Sequence, residues 1–143
     1  MSAVDKIRED ARAAMKQGDR KLSSALRMIQ DALQQDSKLG KGDEIAVLQR
    51  ERKKRMEAAD AYADAARYEQ AEDERFEAEL ITAYLPDQLS DEELNELVAQ
   101  AIASTGATEQ KQMGQVMGAL KEKVAGRADG KRVSTAVREQ LAS

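Results

Sequence analysis

Apolar residues recur along this chain at intervals of three and four, the spacing of an amphipathic helix. Val4, Ile7, Ala11 and Ala14 form the first stripe, which predicts a helix from Val4 to Gln17. Gly18 supplies a stop and Asp19 a cap for the next helix. That second helix carries Leu22, Ala25, Leu26, Ile29 and Leu33, and it frays near Ser37 before a short loop at Gly40 and Gly42. Asp43 opens a long third helix whose stripe reads Ile45, Leu48, Met56, Ala59, Tyr62 and Ala66. A break is expected around Arg67 and Tyr68. A fourth helix then runs to about Tyr84, with Phe76, Leu80 and Tyr84 inward.

The run Tyr84-Leu85-Pro86-Asp87-Gln88-Leu89-Ser90 is the strongest punctuation. Pro86 drives Leu85 out of helical geometry. Ser90 and Glu93 match a capping box, and Leu89 and Leu94 match the hydrophobic staple that accompanies one. A boundary is expected here. The fifth helix, Asp91 to Ser104, turns Leu94, Leu97, Val98, Ala101 and Ile102 inward. Gly106 ends it, and Thr108 is the expected cap of a sixth helix lined by Met113, Val116, Met117, Leu120 and Val124 and running to Gly126. Asp129 caps a last helix with Val133, Val137 and Leu141 at i, i+4 and i+8. The expected fold class is all-α, with an N-terminal helical domain over 1–88, built on long helices, and a small C-terminal three-helix domain over 89–143.

Composition narrows the chemistry. Ala, Glu, Lys, Leu and Arg make up 75 of the 143 residues, whereas Val and Ile together number 12, so helix is favoured over sheet. With no Cys and no His, disulfides, thiolate zinc sites, imidazole ligands and Ser-His or Cys-His catalysis are excluded. No apolar run reaches a membrane span, and the first 17 residues lack the apolar core of a signal peptide, so a cytoplasmic location is expected. No cofactor, metal or catalytic constellation is expected. A binding role therefore leads.

The net charge of −4 is unevenly placed. Residues 1–110 carry 16 basic and 24 acidic residues, and residues 111–143 carry seven basic and three acidic ones. A polyanion would meet the C-terminal part first. Arg127, Lys131 and Arg132 surround the start of the last helix, where cations beside exposed N–H groups suit a phosphate. The competing reading is that Asp129 neutralises part of this and the cations splay into solvent. Gly114 and Gly118, four apart inside the sixth helix, each cost about 1 kcal/mol relative to Ala. The packing of another helix against them is the expected reason, and close approach of a ligand or an RNA backbone is the alternative. On the third helix Arg52 and Arg55 fall on the apolar stripe. Interhelical ion pairs or snorkelling to the rim are the expected explanation, with Glu69, Asp73 and Glu77 available to these arginines or to basic residues of the first two helices, and a basic groove is the other.

Four stretches bring a resemblance into view. They are Asp10-Ala11-Arg12-Ala13-Ala14-Met15-Lys16 with Leu26-Arg27-Met28; Val47-Leu48-Gln49 with Lys53-Lys54-Arg55; Glu77-Ala78-Glu79-Leu80 running into Tyr84–Ser90; and Gly114-Gln115-Val116-Met117 through Gly126-Arg127-Ala128-Asp129 to Val133. Over nearly its whole length the chain resembles the YqeY family, whose members share a C-terminal domain with the B subunit of the tRNA-dependent amidotransferase (GatB). It departs from the family at Gln70, where an apolar residue is expected. The resemblance implies a two-part helical protein whose C-terminal part contacts tRNA or another structured RNA. It also implies a setting of glutamine-dependent carbon–nitrogen ligation, beside a tRNA-modifying or aminoacylation enzyme. No residue here matches that ligase's active sites. The expected function is a tRNA-binding or amidotransferase-associated module without its own active site. A helical protein–protein adaptor is the alternative, and a carbon–nitrogen ligase acting alone the remote one. The expected RNA-contacting residues are Lys121, Lys123, Gly126, Arg127, Lys131 and Arg132.

Overall fold

The computed structural model describes residues 2–38 and 43–142, and every long element in them is an α-helix. The helices are α1 (Ala3–Lys16), α2 (Arg20–Lys38), α3 (Glu44–Asp64), α4 (Tyr68–Thr82), α5 (Asp91–Thr105), α6 (Met113–Val124) and α7 (Gly130–Ala142). A single 3-10 turn at Gln110–Gln112 leads into α6. The loop expected at Gly40 and Gly42 lies outside the described residues.

The chain divides into two compact units, Met1–Leu85 and Pro86–Ser143. The first consists of two helical hairpins, α1 with α2 and α3 with α4, joined mainly through α2 and α3. Gly18 adopts φ +77, the left-handed conformation that turns α1 back within a few residues. The Asp19 carboxylate then accepts the Leu22 N–H at 3.1 Å and starts α2. Ile7, Leu26, Ile29, Leu48 and Ile81 are fully enclosed in the core between the hairpins. Each contributes about 1.5–3 kcal/mol by leaving water. Tyr84 closes the end of this core, its hydroxyl donating to Asp10 at 2.5 Å. Burial, and then that hydrogen bond, raise the Tyr84 pKa above its ordinary value.

The stripe of α3 is rotated from the one its apolar residues suggest. Val47, Leu48, Arg55 and Ala59 are buried, while Ile45 and Met56 lie at the exposed edge and Ala66 falls in the turn beyond the helix. A buried Arg replaces Met56 on the inner face because α4 supplies its counter-charge. Arg55 lies 2.9 Å from Glu51 and 3.4 Å from Glu77. Arg52 donates from Nε to the Thr82 hydroxyl at 2.8 Å. Both arginines expected to need partners therefore have them, and they join α3 to α4. Desolvation raises the Glu77 pKa, opposed by the Arg55 charge. Gln70 points to solvent, so the polar residue at that position costs no core packing.

In the second unit α5, α6 and α7 close on Leu94, Val98, Val116, Leu120, Val133 and Val137. Ser90 accepts the Glu93 N–H at 3.1 Å and Glu93 accepts the Ser90 N–H at 3.0 Å, which completes the capping box. The Ser90 N–H, and after it the Ser90 hydroxyl, hold the Glu93 carboxyl below its usual range. Leu89 and Leu94 are both buried, as the staple requires. Thr108 does not cap α6. The Gln112 side chain reaches back to accept the N–H groups of Thr108 and Glu109, and a 3-10 turn takes the place of the expected first helical turn.

Candidate nucleic-acid interface

The turn at the start of α7 is built by the loop before α5. The Leu89 N–H donates to the Arg127 carbonyl at 2.8 Å, and Gln88 Nε2 donates to the Gly126 carbonyl at 2.8 Å. In return Arg127 Nε donates to the Asp87 carbonyl at 3.1 Å. Arg132 reaches the same loop, donating to the Leu89 carbonyl at 3.0 Å and to Asp91 at 2.9 Å. Gly126 is buried with φ +74, a conformation that Ala would adopt only at a cost of about 1–2 kcal/mol. Gly126, Arg127 and Arg132 are therefore brought together as one structural clasp with the loop before α5. Gln88 was not among the expected site residues. It lies in a loop, where periodicity says nothing, and only the fold reveals its partner.

The amino end of α7 is partly occupied. The Asp129 carboxylate accepts the Arg132 N–H at 2.8 Å, as a capping residue does. Beside it lies a shallow cleft of about 450 Å³ lined by Lys131, Arg132, Asp91, Asp129 and Glu139, among others. Two cations face three carboxylates there, so an anion entering this cleft meets no net positive field. Lys131 itself is exposed.

The remaining expected residues sit on α6. Lys121 and Lys123 are both exposed, with no side-chain ion pair among the described residues. Two residues apart on a helix, they project roughly 160° away from each other. They do not share a face. Gly114 and Gly118 are also exposed, and a Cβ at either would meet no atom within 4 Å. Among the described residues the packing expected against them is thus absent. On the helical wheel they fall on the same flank as Lys121. Charge is likewise distributed differently once the units are drawn. Unit two holds seven basic and nine acidic residues, because the acids that begin α5 belong to it.

The model of the YqeY-like protein family matches residues 4–141. The chain belongs to this family. No curated protein matches it. The YqeY-like match spans both units, so the clasp of unit two and the ion-paired hairpin of unit one both lie inside the family's extent. No helix among the described residues is long and apolar enough to cross a membrane.

Proposed function

We propose that this YqeY-like chain is an RNA-binding helical module that serves a tRNA-dependent amidation or aminoacylation enzyme and acts by binding. The observation that carries the reading is the pair Gly114 and Gly118. Gly118, inside the 12-residue α6, costs about 1 kcal/mol, and Gly114 in the first turn of that helix costs less. Among the described residues no atom outside their own helix backbone comes within 4 Å of a Cβ built at either position. A smooth helix flank next to the unpaired Lys121 suits close approach of a phosphate backbone. Lys123 and Lys131 are exposed and offer contacts to single phosphates, whereas Arg127 and Arg132 hold the turn in shape. Unit two has no aromatic residue, so shape and phosphate contacts, and not base stacking, would select the RNA.

The test is binding of the full chain to bulk tRNA by fluorescence anisotropy at 50 and 200 mM salt. The wild type is expected to weaken with salt. Gly114→Gln/Gly118→Gln is expected to raise the melting temperature, since Gln is the better helix former, and to weaken tRNA binding at least fivefold. Unchanged affinity in this stabilised variant would sink the reading. Capture of a protein partner through the first unit without RNA would favour the adaptor instead.

A further inference from the structure

A second locus in unit one has the chemistry of a phosphate site. Between α1 and α2 runs a groove of about 280 Å³ lined by Arg8, Ala11, Arg12, Met15, Arg27 and Gln30. Three of the six are arginines and none is a carboxylate. The positions follow from helical geometry. Ile7, Ala11 and Ala14 turn into the core, which leaves Arg8, Arg12 and Met15 along one flank of α1. Arg27 leans across from α2, with Nη2 3.4 Å from the Met15 sulfur. Arg8 pairs with Asp5 at 3.3 Å at the outer end of the groove. Among the described residues Arg12 has no ion-pair partner, and Arg27 has none although Asp31 lies one turn further along its helix.

Apart from Arg20 and Arg67, the other arginines of unit one have a side-chain partner among the described residues. Arg55 is buried against two carboxylates, and Arg50 lies 3.6 Å from Asp36. Arg12 and Arg27 leave their charge unspent in this concave site, while Arg8 shares its own with Asp5, and like charges so gathered repel one another until an anion arrives. Their planar forks match phosphate oxygens in pairs. Arg8 and Arg12 are one turn apart, about 6 Å along the helix, a step comparable to that between successive phosphates of one strand. No aromatic ring lines the groove, so it offers nothing to a base.

We propose that the α1–α2 groove binds the sugar–phosphate backbone of RNA through Arg8, Arg12 and Arg27, without regard to base sequence. The choice of RNA as the polyanion rests on the functional reading above, but the groove itself does not depend on the α6 contacts. A single exposed methionine is too little apolar surface to favour a lipid bilayer.

The experiment uses full-length protein and labelled bulk tRNA, with Arg12→Gln/Arg27→Gln and Arg12→Glu/Arg27→Glu beside Lys121→Glu/Lys131→Glu. Both arginines are solvent-facing, so melting temperatures should stay within a few degrees of wild type. The Gln pair should weaken binding about tenfold at 50 mM salt and reduce the slope of log K against log salt by about 1.5–2. The Glu pair should weaken it further. Wild-type affinity in both arginine variants would overturn the groove, and if the lysine variant then loses binding the α6 reading stands alone. Loss in the arginine variants with an unaffected lysine variant supports the groove and removes Lys121 and Lys131 as contacts. No tRNA binding by the wild type, or binding only to phosphatidylserine vesicles, would overturn both.

Discussion

Arg55 is the residue on which the first unit most depends. It is 6 % exposed, lies within ion-pair distance of Glu51 and Glu77, and also donates to the Glu51 carbonyl at 3.1 Å. Removing one partner from such a cluster leaves the others desolvated and uncompensated. Arg55→Ala is expected to destabilise the protein by about 3 kcal/mol, read by urea denaturation at pH 7. The same cluster gives a pH signature. The Glu77 pKa is raised in the folded state, so its contribution to stability is fully present below the unfolded value and is lost as pH rises through the folded value. The stability of wild type relative to Glu77→Gln should therefore be greater at pH 4 than at pH 7. The opposite order would mean that the Arg55 pairing outweighs the desolvation. The sequence placed Arg55 on an apolar stripe. It could not say which of Glu69, Asp73 and Glu77 would meet it, because that depends on the register of α3 against α4. Glu77 does so, and Asp73 pairs with Lys21 at the surface instead.

At the scale of elements, helix ends were the most legible feature. Caps and stops are local chemistry: Asp19, Asp43 and Ser90 each accept an N–H three residues on, and Gly106 stops α5 in the left-handed conformation. One exception is the start of α6, where Thr108 does not cap, and another is the end of α3, where Ala66 takes φ +59 with a Cβ that disfavours it. Ala66→Gly should stabilise the protein by about 0.5–1 kcal/mol, the relief of that conformation less the added freedom of the unfolded chain. A lower melting temperature would show that the Ala66 methyl is needed in the turn. The glycines of α6 teach the converse. Their spacing was legible and their cause was not, since an empty flank and a packed one give the same sequence.

For the whole molecule, the division into two units predicts how it comes apart. Each unit has its own core, and the two buried clusters share no residue. Arg55→Ala should therefore lower hydrogen-exchange protection first in α3 and α4. Ser90→Ala, which deletes a cap worth about 1 kcal/mol, should lower it first in α5. Equal loss in both units from either change would mean that they unfold as one. The expected charge asymmetry also changes at this scale. The basic excess of residues 111–143 belongs to α6 and α7, and the acids of the α5 first turn lie in the same unit.

The helical class, most of the helix ends and the family were legible in the residues alone, because propensity, capping and the 3.6-residue period act over a few residues and need no partner. It also marked Arg127, Lys131 and Arg132 as a group. Their roles follow from packing. Arg127 and Arg132 spend their hydrogen bonds on the 87–91 segment, some forty residues away, and Lys131 does not. Whether a charge is spent within the fold or left for a ligand depends on distances between segments remote in the chain, and those are set by packing.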